Sequence, residues 1–310
     1  MSNFGAVGGQ SQNNVIVTND GKKYEKAGFA KSAGAVLAAN AVGGLVNVGV
    51  QKVGTVPFQS AIKNLTDADK LVYKNAVDDA FLKSGLESKG VYILDATEQN
   101  KDSILKIIKN NQTALQKKLS QKNKVFANYM ENMSKNITQI MLEGKNAAFM
   151  PADNAIVFNK ENFSIASFHE MGHAINKNMS KFGKVLQKMR APSVALSVLA
   201  LGTALLKRKK VEGEEPKGLF DKVTTFIKNN CGKIAFLGML PMLLEEGLAS
   251  INGTKLAKGI LSPEHLKKLK VFNVKAWFSY AAAAVGMGLA TYAASHIRDK
   301  IAGPKEIQKS

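Results

Sequence analysis

This chain is poor in several residue types. Of its 310 residues one is cysteine, one is tryptophan, seven are proline and four are histidine, and 24 acidic residues face 43 lysines and arginines. The single cysteine, Cys231, excludes an internal disulfide framework. Because 45% of the residues are hydrophobic and 22% are charged, wholesale disorder is excluded and a buried core is expected.

The shortage of acidic residues leaves a net charge of +19. A nucleic-acid-binding face would interleave basic residues with exposed aromatics or carry a known binding module, and the sequence has neither. The lysines instead flank apolar stretches, as at 207–210 and 267–270. This placement favours lipid headgroups, and not nucleic acid, as the partner of the basic residues. A solvated lysine-rich surface without a partner is the alternative.

The longest uncharged stretch, 276–295, has about the 20 residues that cross a bilayer. Trp277 stands near one end of it and Tyr292 near the other, as is typical of membrane interfaces. Ala284 and Gly288 have the small-residue spacing of packed membrane helices. The sequence therefore predicts a membrane-spanning helix here.

Three further stretches are apolar but weaker as membrane helices. Residues 191–206 and 234–244 are short, so each is either a membrane helix or a buried core helix. Residues 27–50 predict a weak membrane or packing helix, and the polar residues 1–26 are expected to be disordered. Together the apolar stretches predict a multi-pass membrane protein.

His169, Glu170 and His173 form the most informative pattern in the chain. On a helix, histidines four residues apart lie on one face, where their neutral nitrogens can bind Zn²⁺. The glutamate that follows the first histidine can take a proton from water activated by the metal. All other residues from 166 to 175 are uncharged, which predicts a helix packed inside the protein rather than a surface helix facing water. Gly172 in that helix indicates a close neighbour.

Two histidines leave a tetrahedral zinc short of a third protein ligand. Asn176 and Met179 stand where a metzincin would have a glycine and a third histidine, which excludes that class. The remaining histidines, His265 and His296, are distant in sequence, so a carboxylate is the expected ligand. The downstream carboxylates are Glu212, Glu214, Glu215, Asp221, Glu245 and Glu246.

The surroundings of these carboxylates separate them. Glu212, Glu214 and Glu215 lie in a polar loop beside basic residues, where solvated charge is expected. Glu245 and Glu246 end an apolar run, where carboxylates are costly unless they bind a cation or a partner. If 191–206 and 234–244 form an antiparallel pair, these two acids return beside the histidines. The residues alone leave both of them open as the ligand.

With these residues the chain resembles the HtpX-type and CAAX-prenyl-protease-type membrane zinc proteases of the gluzincin class. In that family the His-Glu-x-x-His motif precedes a hydrophobic helical hairpin and then Glu-x-x-Ala-Asp, which is similar to Glu246, Ala249 and Ser250 here. The resemblance implies a zincin-like catalytic domain with His169, His173 and Glu246 as the zinc ligands. Ser250 departs from the family pattern, because the family has aspartate there.

The remaining patterns predict a mainly α fold with a small β-sheet. A helix is expected over 60–86 with its cap near Thr66, a strand over 90–95, and amphipathic helices over 98–143. Two short strands are expected within 147–159, and the second, 155–158, is the candidate edge strand for an extended peptide substrate. The predicted segments are an N-terminal tail with a weak apolar helix (1–60), the catalytic domain (61–190), the hydrophobic hairpin (191–250), and a C-terminal apolar helix with a basic tail (251–310).

The sequence thus predicts a zinc-dependent endopeptidase at or in a membrane, with Glu170 as general base and a peptide or protein as substrate. The alternative is a catalytically inactive basic membrane scaffold with a degenerate or coincidental motif. An enzyme of this type also needs a group that stabilises the oxyanion. The residues considered for that role are His265, Tyr280, Tyr292 and His296.

Overall fold

The computed structural model describes residues 14–308, and over these residues the chain is mainly helical with two small β-sheets. The predicted fold class, mainly α with a small sheet, is confirmed as far as its secondary-structure content is concerned. The helices are α1 (Phe29–Lys63), α2 (Asp67–Ser84), α3 (Lys101–Asn110), α4 (Ala114–Lys122), α5 (Lys124–Leu142), α6 (Ser164–Asn178), α7 (Lys181–Leu206), α8 (Gly218–Asn229), α9 (Cys231–Ala257) and α10 (Pro263–Ala302). The strands are β1 (Val15–Val17), β2 (Lys23–Glu25), β3 (Tyr92–Asp95), β4 (Ala147–Met150), β5 (Ala155–Phe158) and β6 (Lys305–Glu306).

The described residues divide into two compact units, and the division falls inside α1, α7, α9 and α10. The first unit contains the described residues up to Lys52, Ser193–Met239, and the described residues from Ala283 onward. The second contains Val53–Pro192 and Leu240–Ala282. Both units are assembled from separated stretches of chain.

The sheet of the second unit has the order β3-β5-β4. Strand β5 is parallel to β3 and antiparallel to β4, and all four of its residues are buried. The expectation that 155–158 is an edge strand for a peptide is therefore wrong, because both edges of β5 are already paired. The edges of this sheet are β3 and β4.

Helix α2 shows how local sequence sets the boundaries in this unit. Thr66 caps the helix by accepting a hydrogen bond from the Asp69 N–H, and the Asp69 carboxylate accepts one from the Thr66 N–H. The predicted start of the helix at residue 60 is wrong, because α1 continues to Lys63 and α2 begins at Asp67. The predicted cap at Thr66 is confirmed. Buried Tyr73 packs its ring edge against Phe168 of α6 in the core of the unit.

The N-terminal residues are more ordered than their polarity suggested. Strands β1 and β2 form an antiparallel hairpin, and β2 pairs with β6 from the other end of the chain. Disorder over 1–26 is therefore wrong for 14–26, while 1–13 lie outside the described residues. The order comes from pairing with a distant strand, which local composition does not reveal.

Within the described part of the chain, three helices are long and apolar enough to cross a membrane: α1, α7 and α9. Only 17%, 22% and 39% of their most apolar windows are buried in the protein. The stretch 276–295, predicted to be the best membrane helix, lies in α10 and is not among the three. The glycine, serine, threonine, tyrosine and tryptophan residues of this stretch lower its mean hydropathy.

Candidate metal centre

Helix α6 carries the two histidines into the core of the second unit. Their positions one turn apart place His169 and His173 on one face, with ring centroids 4.6 Å apart and planes nearly perpendicular. Only 5% of His169 and 6% of His173 are exposed. Two polar rings at this depth need polar partners, because an unpaired buried polar group is costly.

Helix α9 supplies those partners because it packs directly against α6. A Cβ added to Gly172 would lie 2.0 Å from the Ala249 carbonyl oxygen, and one added to Gly253 would lie 2.1 Å from that of Phe168. Only glycine permits such close approach of two helix backbones. The close neighbour that Gly172 indicated is therefore confirmed, and it is the helix that bears Glu245 and Glu246.

Three ligand atoms meet at the contact between these helices. The Nε2 atoms of His169 and His173 are 3.0 Å apart, and Glu246 Oε2 lies 3.1 Å from the first and 3.3 Å from the second. Ligand atoms at about 2.0–2.1 Å from a tetrahedral ion are separated by roughly 3.3 Å. The triangle is therefore close to the size that an ion such as Zn²⁺ requires, and His169, His173 and Glu246 could hold a metal ion.

The opposite nitrogen of each ring has its own partner. Ser250 Oγ lies 3.1 Å from His169 Nδ1, and Glu245 Oε1 lies 2.9 Å from His173 Nδ1. When Nδ1 of a ring donates to its partner, the Nε2 lone pair of that ring is available to the triangle. Ser250 thus contacts His169, and Glu245 contacts Nδ1 of His173 while Glu246 faces the triangle.

The buried carboxylates of this centre favour positive charge on their neighbours. Burial opposes protonation of His173, but the nearby carboxylates of Glu246 and Glu245 outweigh it and raise the pKa of this imidazole. The same two acids are exposed by no more than 1%. Buried carboxylates at this depth require cationic partners.

Arg190 of α7 bridges the two acids. Its Nη1 donates to Glu245 Oε2 at 2.8 Å and its Nη2 donates to Glu246 Oε1 at 2.9 Å. Asn176 and Gln187 donate to Glu245 Oε1 at 2.9 and 3.0 Å. Sequence reasoning missed these three residues. The position of Arg190 in the sequence could have indicated a role, because it is the last charged residue before the apolar stretch 191–206.

Replacing Arg190 with lysine is expected to weaken Zn²⁺ binding by about 10–100-fold, the effect typical of residues that orient metal ligands. One ammonium group cannot bridge two carboxylates as a planar guanidinium does. Competition with a chromophoric chelator measures the change. Arg208→Lys is the matched control, since Arg208 pairs with Glu214 in the other unit. An equal affinity in both variants would contradict the bridging role.

Glu170 lies on the same helix, with 8% of its surface exposed. Its Oε2 accepts a hydrogen bond of 2.6 Å from the N–H of Phe149 in β4. The glutamate is thereby held against an edge strand of the sheet. Its second carboxylate oxygen has no hydrogen-bond partner among the described residues.

The other acids considered as ligands are engaged elsewhere. Glu214 pairs with Arg208 and Lys210, Asp221 pairs with Lys207 and Lys210, and Glu215 accepts a hydrogen bond from Asn19. All of these belong to the first unit, and Glu212 lies in the same loop. The structure therefore brings Glu245 and Glu246, and not the loop acids, to the histidines.

The four residues considered as oxyanion stabilisers lie in different surroundings. His265 contacts Asp69 and Ser262, and Tyr292 stacks on His296 in the first unit. Tyr280 belongs to the second unit. Burial raises the pKa of its phenol, and the charges of Glu246 and Glu170 raise it further. The phenol of Tyr280 is thus influenced by two carboxylates at or beside the metal centre.

No family model, curated protein or solved structure matches this chain. The chemistry of the centre is therefore inferred from its geometry alone. That geometry comprises a triangle of ligand atoms, oriented rings, a buried glutamate and a bridging arginine.

Proposed function

We propose that this protein is a zinc-dependent endopeptidase of the membrane, with His169, His173 and Glu246 as metal ligands in a zincin-like domain of gluzincin type. The observation that carries the proposal is the triangle of Nε2 and Oε2 atoms at 3.0–3.3 Å. A zinc ion held by these three residues would supply a Lewis acid for activating water and polarising a peptide carbonyl. Two histidines and one glutamate are a ligand set typical of catalytic zinc sites.

Glu170 is the proposed general base. A carboxylate next to a metal ligand can take the proton from the attacking water and pass it to the departing amine. The hydrogen bond from Phe149 holds one oxygen of Glu170 and leaves the other for this proton. Its burial keeps bulk water away from the proton transfer.

Strand β4 is the proposed docking edge for the substrate. Its partner β5 occupies one side of it, while the N–H of Phe149 points to the other side, toward Glu170. An extended peptide can add to such an edge through backbone hydrogen bonds. This role replaces the one expected for 155–158, because β4 pairs with a strand on one side only, whereas β5 is paired on both sides.

Tyr280 is the proposed oxyanion stabiliser. Its phenol O–H is a hydrogen-bond donor that can donate to an oxygen that becomes negative during the reaction. The carboxylates of Glu246 and Glu170 influence this phenol through their charge, which supports its placement in the reaction site.

Membrane location is proposed from the surface of the protein. Helices α1, α7 and α9 are largely uncovered over their most apolar windows. A lipid bilayer is the solvent that such surfaces match. The net charge of +19 suits anionic headgroups at the membrane boundary.

Metal removal tests the proposed activity. We expect detergent-purified protein to cleave unfolded casein, to lose that activity with 1,10-phenanthroline, and to regain it when Zn²⁺ is returned. Hydrolysis that persists in the metal-free protein would contradict the proposal. Zinc binding without hydrolysis of casein or of a mixed peptide library would favour the alternative, an inactive membrane scaffold, which the deep burial of all three ligands also supports.

A further inference from the structure

A polar cavity of about 470 Å³ lies entirely within the first unit. Its lining comes from the connection after α7, the end of α8, the start of α9 and the last turns of α10. It includes Lys209, Lys228, Lys233, Tyr292, His296 and Asp299. The metal centre uses none of these residues.

The cavity has more positive than negative charge in its lining. Lys228 is buried and pairs with Asp299 at 3.0 Å, and Asp299 also accepts from Arg298, so one carboxylate serves two cations. Lys209 and Lys233 also line the cavity, and neither forms an ion pair among residues 14–308. An anion is the ligand that this charge favours.

Lys209 differs from the other three basic residues of the run 207–210, because those three form ion pairs. Lys207 pairs with Asp221, Arg208 pairs with Glu214, and Lys210 pairs with both acids. Lys209 is the fourth member of the run, and it lines the cavity instead. Its backbone N–H donates to Asp299 Oδ1 at 3.1 Å, which fixes the chain at the cavity wall.

An apolar groove of about 330 Å³ continues from the cavity between α9 and α10. The two share Gly232, Lys233 and Tyr292, and the groove goes on along Phe236, Val285 and Leu289. Close packing at the glycines brings the two helices together, since a Cβ on Gly232 would lie 2.9 Å from the Gly288 carbonyl oxygen. A charged cavity joined to an apolar groove matches a ligand with an anionic head and a hydrocarbon chain.

Helix α8 indicates that this region meets lipid. Its apolar side chains point outward, with Phe220 exposed by 83% and Phe226 by 64%, while Lys228 on the same helix is buried. Leu219 and Val223 extend the outward apolar face. In water this arrangement is unfavourable, whereas a helix lying in a membrane interface adopts it. The helix leads directly into α9, which is apolar enough to span a bilayer.

We propose that the first unit binds one anionic phospholipid, with its phosphate in the cavity beside Lys209 and Lys233 and an acyl chain in the groove along Val285 and Leu289. The site rests on the proposed membrane location and not on the peptidase chemistry. Lipid binding and zinc content are therefore read independently, and either can fail without the other.

Native mass spectrometry of the detergent-purified full chain tests this site. We expect one phosphatidylglycerol to be retained per chain, and phosphatidylcholine to bind at least about 10-fold more weakly. Each lysine near a headgroup contributes about 1 kcal/mol, so Lys209→Gln with Lys233→Gln should weaken phosphatidylglycerol binding about 30-fold. Lys118→Gln with Lys122→Gln on α4 removes the same charge and should have no effect.

A groove variant distinguishes a lipid from a free phosphate. Leu289→Gln should weaken phosphatidylglycerol binding, while the much weaker binding of glycerol phosphate stays unchanged. Unchanged binding in the double lysine variant would overturn the site. Glycerol phosphate binding as tightly as phosphatidylglycerol would also overturn the proposal, because it would show an anion site without a lipid chain.

Discussion

Replacing Glu170 with glutamine is expected to leave zinc bound and to lower peptide hydrolysis by about 10²–10⁴-fold. Glutamine has the same shape, and its amide oxygen can still accept the hydrogen bond from the Phe149 N–H, so the helix and the ligands stay in place. The amide cannot accept a proton at neutral pH, so the step assigned to Glu170 is lost. Casein hydrolysis and zinc content, measured on the same preparation, report both parts of the expectation.

Two further variants make this experiment specific. His169→Ala removes a ligand and should lose both zinc and activity. Glu87→Gln changes an exposed glutamate in the second unit and should change neither. Retained hydrolysis in a zinc-loaded Glu170→Gln variant would contradict the proposed base.

Gly172→Ala is expected to destabilise the protein by at least about 3 kcal/mol, because overpacking against a rigid backbone is among the costliest single changes. The new methyl would lie 2.0 Å from the Ala249 carbonyl oxygen, so α6 and α9 would have to separate. Separation moves Glu246 away from His169 and His173. Thermal unfolding followed by circular dichroism should show a lower midpoint, and zinc affinity should fall with it.

The helical glycine Gly202 provides the matched control. A Cβ added there meets nothing within 4 Å, so Gly202→Ala should be neutral or stabilise by up to about 1 kcal/mol. Gly253→Ala should repeat the effect of Gly172→Ala, since its methyl would lie 2.1 Å from the Phe168 carbonyl oxygen. Equal midpoints for Gly172→Ala and Gly202→Ala would show that the helix contact does not hold the centre together.

Features with a local cause could be predicted from the sequence. The spacing of His169 and His173 defines one face of a helix, and the Thr66 cap depends on residues three apart. The return of Glu245 and Glu246 to the histidines followed from the expected pair of apolar helices. Each of these inferences needed only periodicity or the order of segments.

Features that depend on distant pairing could not be predicted. The position of β5 between β3 and β4 depends on a parallel partner about sixty residues earlier, and periodicity does not distinguish central from edge strands. Strand β2 is ordered with β6 at the opposite end of the chain. Arg190 reaches Glu245 and Glu246 only through the packing of α7 beside α9.

We assign Glu246 as a metal ligand and Glu245 as the residue that orients His173. Elemental analysis of detergent-purified wild type beside Glu246→Gln and Glu245→Gln tests this assignment most directly. Glutamine at 245 can still accept from His173 Nδ1, whereas an amide at 246 is a poor zinc ligand. We predict one zinc per chain in wild type and in Glu245→Gln, and none in Glu246→Gln. A metal-free wild type, or zinc retained by Glu246→Gln, would contradict the assignment of Glu246 as a ligand.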